Sequence, residues 1–125
     1  MELEVNKISG VVVDAAYKVL TNLGPGLLEG EYEACLAHKL RSRGYKAPTQ
    51  VTLPVFYEGE RIELGYRLDM LVEERVIVEL KTVEKLMPIH KAQLLSYLKL
   101  SGVKIGLLLN FKTESLRDGI IRMAL

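Results

Sequence analysis

The 125-residue chain predicts an α/β domain, a mixed central sheet flanked by helices. Three observations carry that prediction. Residues 8–23 repeat apolar groups at close to 3.6 positions, the stripe of an amphipathic helix. Residues 67–81 hold two apolar runs around a polar break, which reads as a hairpin. Residues 104–111 form an almost unbroken apolar run after a helical stretch, so that strand is expected to be buried on both faces and parallel to its predecessor. The order is helix, helix, three antiparallel strands, helix, strand, which places helices on both faces of the sheet.

Asn6 is expected to cap the first helix, whose stripe is Ile8, Val12, Ala15, Ala16, Val19 and Leu23. Gly24-Pro25-Gly26 stops it, since Gly suits the left-handed position and Pro cannot continue a helix. The second helix runs from about Leu28 to Arg43, with Tyr32, Cys35, Leu36 and Leu40 inward and Gly44 as terminator. Gly30 in its first turn costs about 1 kcal/mol relative to Ala. Lys46 to Tyr57 reads as a strand that Pro48 and Pro54 confine to an edge or an irregular start. Glu58-Gly59-Glu60 turns the chain into Arg61–Tyr66, and Gly65 invites a bulge. Thr82 to Met87 is a connector, Pro88 fits the first turn of a helix reaching about Leu100, and Ser101-Gly102 closes it. The tail from Leu116 reads as a last edge strand in preference to a short helix.

Length predicts a single domain over residues 1–125. Hydrophobic and charged contents of 49% and 26% are ordinary globular values, which argues against disorder. No apolar run approaches the ~18 residues of a membrane span, so no membrane partner is expected. Met1-Glu2-Leu3-Glu4 is the opposite of a basic signal-peptide start. The lone Cys35 excludes an intramolecular disulfide and a cysteine zinc cage, and a cytoplasmic location is the expectation. A net charge of +1 argues against a large nucleic-acid surface. Lys39, Arg41, Arg43 and Lys46 do cluster, as do Lys81, Lys85, His90 and Lys91, but each group also reads as a solvated helix end or loop.

The hairpin carries acids where a plain core strand would carry Val or Leu. An ionised carboxylate in a sheet is costly unless a cation or several hydrogen bonds compensate it. A two-residue loop, Glu73-Glu74, would oppose Asp69 to Val78 and leave the acids on opposite faces. A three-residue loop, Glu73-Glu74-Arg75, opposes Val72 to Val76, Met70 to Val78 and Leu68 to Leu80, one wholly apolar face. The other face then stacks Leu71 on Ile77, Asp69 on Glu79 and Arg67 on Lys81. Because a one-residue slip flips every side chain, the pattern selects the second register. Arg75 is expected at the left-handed position where Gly is usual. The Asp69 and Glu79 Cβ atoms then lie roughly 4.5–5.5 Å apart.

Carboxylates that close can share one Mg²⁺, with the Leu80 carbonyl as a further oxygen. A cation there polarises a phosphate and lowers the pKa of a bound water. Lys81, on the same face as Glu79, can position that water or offset negative charge. The competing reading is an ion network in which Arg67 and Lys81 neutralise the two acids. Gln93 and Tyr97 are four apart on the third helix, with His90 on the same stripe. If Ala92, Leu95 and Leu98 serve the core, Gln93 and Tyr97 are free to face the strands; the spacing equally suits ordinary boundary residues. His90 more often caps than catalyses. Glu29 begins the second helix, where the dipole favours an acid whatever the function.

Gly26-Leu27-Leu28-Glu29-Gly30-Glu31-Tyr32 spells G-x-x-E-x-x-Y, and Asp69-x₉-Glu79-x-Lys81 spells an acid–acid–lysine core. Gln93-x-x-x-Tyr97 is similar to the motif after the catalytic lysine of helicase-associated exonucleases. With these motifs in order, the chain from Ile8 to about Ile121 resembles the small GxxExxY proteins of the PD-(D/E)XK nuclease superfamily. Val78 to Tyr97 is the closest stretch, and Leu68 stands where the superfamily name has Pro. The resemblance implies a restriction-endonuclease-like fold and a site dependent on Mg²⁺ or Mn²⁺ that hydrolyses phosphodiester bonds of nucleic acid, taken to be DNA. Asp69, Glu79 and Lys81 would be its centre, Glu29 a metal-side acid, and Gln93 and Tyr97 substrate-facing. Two other functions stay open: a module of the same fold that binds nucleic acid or protein without cleaving, and a hydrolase of a smaller phosphorylated substrate. A binding surface this short would gain from a homodimer spanning both strands of a duplex.

Overall fold

The computed structural model describes residues 2–125, and the backbone alone at residues 2, 3, 63 and 64. The elements are α1 (Glu2–Leu23), α2 (Glu29–Ser42), β1 (Thr49–Tyr57), β2 (Glu60–Val72), β3 (Val76–Lys81), α3 (Pro88–Ser101), β4 (Ile105–Asn110), a 3₁₀ turn (Leu116–Gly119) and β5 (Ile120–Ala124). The five strands lie side by side in the order β1-β2-β3-β4-β5. β3 and β4 run parallel and every other neighbouring pair antiparallel. The mixed sheet and the doubly buried β4 match the sequence expectation, and so does a terminal edge strand, although it starts only at Ile120 because Leu116–Gly119 form the short helical turn that the expectation set aside.

Two hydrophobic clusters cover the two faces. Val12, Ala16, Tyr32 and Leu36 of α1 and α2 pack on Met70, Val78, Leu80 and Leu107. On the opposite face Leu94, Tyr97 and Leu98 of α3 meet Leu53, Leu68, Ile77 and Leu108. Gly106 lets α3 approach β4, since a Cβ there would stand 2.8 Å from Leu94 Cδ1. At Gly65 a Cβ would fall 2.2 Å from the Leu53 carbonyl oxygen, and the β1–β2 register shifts beside it between Leu53 and Val55. Pro54, which has no N–H for a ladder, sits in that irregularity on the edge strand.

Several local expectations are corrected. α1 begins at Glu2 and not after a cap at Asn6, because Val5 extends its buried stripe upstream. Asn6 lies inside the helix, where its side-chain oxygen accepts from Arg122. Leu20 is buried and Leu23 exposed; Ala37 is buried and Cys35 exposed. On α3 the core stripe is Leu94, Tyr97 and Leu98, with Ala92 exposed and Leu95 half-buried. The close seat over Gly106 sets that rotation. The turn of Glu73 to Arg75 has the expected length, but its left-handed residues are Glu73 (φ 53°) and Glu74 (φ 57°), not Arg75. The Arg75 N–H closes the turn onto the Val72 carbonyl, and its guanidinium pairs with Glu4.

Candidate active site

β2 and β3 pair Val72 with Val76, Leu71 with Ile77 and Met70 with Val78, the register that the apolar alternation selects. The ladder stops there. One step further, the Asp69 N–H donates to Glu79 Oε2 at 2.8 Å, and the Leu80 N–H donates to Asp69 Oδ2 at 2.8 Å. Each carboxylate takes the place of a main-chain carbonyl as acceptor, so the strands part without orphaning these N–H groups.

β2 also turns over at this point. The Leu71 N–H bonds to the Pro48 carbonyl on the β1 side, yet the Asp69 N–H points to β3. In a regular strand residues two apart share an orientation. Gln50, level with Asp69 on β1, has φ 53° and marks the same break. Leu68 therefore joins Ile77 in the α3-side cluster and does not lie on the Leu80 face, as unbroken alternation would require. The main-chain ladder likewise does not extend to the expected Asp69–Glu79 and Arg67–Lys81 pairs.

The parted strands form a notch that both helical layers can reach. Glu79 is only 5% exposed, and its carboxyl is pushed up to about 8 by burial first and by the Asp69 charge second. The Asp69 N–H and the Lys81 charge oppose that rise. From α2, Glu29 comes near enough for Asp69 to act on it. Its carboxyl is raised by burial and by Asp69, and drawn back by Lys81 and a hydrogen bond from the Thr82 backbone. Lys81 draws back both carboxyls, the neutralising part that the ion-network reading gave it at Glu79.

Two further residues join the notch without having been singled out. Glu33 lies one turn after Glu29 and is raised by burial and by Asp69. Gln50 Nε2 donates to Glu33 Oε1 at 2.8 Å and stands 3.5 Å from Asp69 Oδ1. The spacing of Glu29 and Glu33, four apart on one helix face, was the signal that could have found Glu33. Gln50 offered none.

Tyr32, the last letter of G-x-x-E-x-x-Y, is fully buried and touches none of the acids by hydrogen bond. Its hydroxyl donates to the Gly24 carbonyl and accepts from the Leu27 N–H at 3.1 Å. Its ring stacks on Phe111 at 4.6 Å, and the Phe111 N–H donates to the Lys81 carbonyl at 2.8 Å. The tyrosine thus pins the loop that presents Glu29 and ties it to the strand end that bears Lys81. Asn110 secures the next segment, its Oδ1 accepting from the Val83 N–H and its Nδ2 donating to the Val83 carbonyl.

On α3, Tyr97 is almost wholly buried, and its hydroxyl is pushed up to about 12 by burial, then by the charges of Glu79 and Asp69. It is a donor at any working pH. Gln93, half-buried, lines a groove with Tyr97 and Tyr66. His90 Nδ1 accepts from the Met87 N–H at 2.9 Å and so caps α3.

Among the described residues, no three carboxylate, imidazole or thiol side chains converge as a ready-made metal cage. Glu29 accordingly does not complete a triad with Asp69 and Glu79. The donors that do meet are all oxygen: the cross-bonded pair and the Leu80 carbonyl, which projects to the same strand edge as the Leu80 N–H bound to Asp69. Mg²⁺ is commonly held by one or two carboxylates, with water and substrate phosphate completing its shell. The donor set fits such an ion.

Fold and notch together define an α/β domain of the restriction-endonuclease-like architecture, a mixed sheet between helices that opens at an acid pair. The chain belongs to the PD-(D/E)XK nuclease superfamily, whose family model matches residues 6–123. Nucleases of this superfamily act on nucleic acid and generally use divalent metal ions. No curated protein and no solved structure matches the chain. No helix among the described residues is long and apolar enough to cross a membrane.

Proposed function

We propose that this protein is a Mg²⁺- or Mn²⁺-dependent nuclease that hydrolyses phosphodiester bonds of DNA, of the GxxExxY branch of its superfamily. The observation that carries the reading is the Asp69–Glu79 pair cross-bonded through the parted hairpin, with Lys81 beside it. In this reading Asp69, Glu79 and the Leu80 carbonyl hold the cation, and Glu29 acts from α2 through the water around it. A bound cation supplies Lewis acidity at the phosphate and a more acidic water. Lys81 orients the attacking water and offsets charge that grows on the phosphate oxygens, while Tyr97 and Gln93 donate hydrogen bonds to the substrate strand.

Calorimetric titration with Mg²⁺ or Mn²⁺, beside cleavage of single-stranded, nicked and branched DNA, tests this. Metal bound only by the native state stabilises it by about 2.7 kcal/mol at a hundredfold excess over Kd. Asp69→Ala and Glu79→Ala should lose the metal-dependent rise in melting temperature. Lys81→Ala should keep that rise and lower the cleavage rate about 10²–10³-fold, the scale for removing one charge-stabilising donor. A wild-type protein with neither a thermal response to these ions nor cleavage would be a binding module of the same fold.

A further inference from the structure

Beside the acid notch lies a groove of about 270 Å³ lined by Tyr66, Ile89, Ala92, Gln93, Ser96 and Tyr97. Tyr97 belongs to both, since the same side chain lines the groove and lies in the field of Glu79 and Asp69. Tyr66 stands opposite Leu53 on β2, three residues before Asp69, and is 47% exposed. Its ring leans on the buried Tyr97 ring at 5.2 Å and 54°. That contact immobilises Tyr66 while nearly half of its surface stays open. Ile89 (69% exposed) and Ala92 add an apolar flank. Gln93 and Ser96 supply an amide and a hydroxyl. A fixed aromatic face, an apolar flank and one amide suit a flat heterocycle with a hydrogen-bonding edge.

We propose that this groove takes an unpaired nucleobase, stacked on Tyr66, from the strand whose phosphate occupies the Asp69–Glu79 notch. The substrate class is then single-stranded or locally unpaired nucleic acid. The position of the phosphate rests on the nuclease reading; the base site rests on the groove. A base inside a duplex must leave its stack to enter such a site, whereas an unpaired strand offers its bases freely. The net charge of +1 points the same way. Little phosphate neutralisation is available to hold a duplex by its backbone, so stacking has to supply more of the affinity.

Fluorescence anisotropy of the full chain with a labelled oligothymidylate and with a blunt duplex of equal length, both in EDTA, reads binding without cleavage. The strand should bind at least about tenfold more tightly than the duplex, and Tyr66→Ala should weaken the strand about tenfold or more, with Tyr66→Phe close to wild type. An abasic strand of the same length should bind the wild type as weakly as oligothymidylate binds Tyr66→Ala, a control that needs no altered protein. Duplex binding that equals or exceeds strand binding overturns the proposal, as does an abasic strand that binds like oligothymidylate. Base-dependent binding without cleavage in Mg²⁺ or Mn²⁺ would retain the groove and remove the nuclease reading. Cleavage that is indifferent to Tyr66 would do the reverse.

Discussion

The hairpin of β2 and β3 is built in two different ways at its two ends. Beside the turn, Met70 to Val72 face Val76 to Val78 through a main-chain ladder, and most of these apolar side chains are fully buried. Past Met70 the same strands are joined by carboxylates, with Asp69 and Glu79 each accepting from the other strand's backbone. The first end gains stability from burial. The second crowds two carboxyl groups in a confined place, which favours a proton on Glu79 and leaves oxygen donors ready for a cation. No buried side-chain nitrogen or oxygen among the described residues lacks a partner, so the opening is a hydrogen-bonded alternative to the ladder and not a defect in it.

That contrast can be broken from either end. The largest effect is expected beside the turn. Met70 is fully buried between the sheet and the α1–α2 layer, so Met70→Ala should destabilise the fold by about 2–5 kcal/mol, read by urea unfolding. A smaller loss would mean that the apolar end contributes less than its burial implies.

The notch end should respond to pH in the metal-free protein. Glu79 titrates at about 8 in the fold, above the ordinary 4.5, so the fold favours its protonated form. That contribution is full below pH 4.5, declines as pH rises, and is lost through about pH 8. Glu29 and Glu33, also raised, slope the same way. The melting temperature should therefore fall over that interval, and Glu79→Gln, which keeps an acceptor for the Asp69 N–H, should remove most of the fall. An equally steep profile in Glu79→Gln would place the strain on other groups.

The smallest effect is expected in the turn itself. Glu74 holds φ 57°, which glycine adopts without a Cβ penalty. Relief of that strain is partly offset by greater freedom of the unfolded chain, so Glu74→Gly should raise stability by less than about 1 kcal/mol. A clear destabilisation would show that the Glu74 side chain supports the turn.

Much of this arrangement was legible in the residues. The alternation from Leu71 to Val78 encodes the hairpin register because a slip of one would expose its apolar face. The continuous run at β4 encodes burial on both faces, and Pro88 and Gly102 bound α3 as their backbone restrictions dictate. The break at Asp69 was not legible, since the alternating pattern continues through Leu68 while the backbone does not. Nor was the face of α3: two stripes one position apart are both apolar enough, and contact with Gly106 selects Leu94 over Leu95.

By itself the sequence determined the order of elements, the class of sheet and the adjacency of Asp69 and Glu79, because a tight turn brings those two acids together locally. Tertiary structure decided what gathers around them. Glu29 and Glu33 arrive from a helix on one face, Tyr97 from a helix on the other, and Gln50 from the edge strand. Their convergence depends on how each helix seats on the sheet and on a strand that turns over where a carboxylate replaces a carbonyl. A local period records which side chains are apolar; it carries no term for that long-range docking.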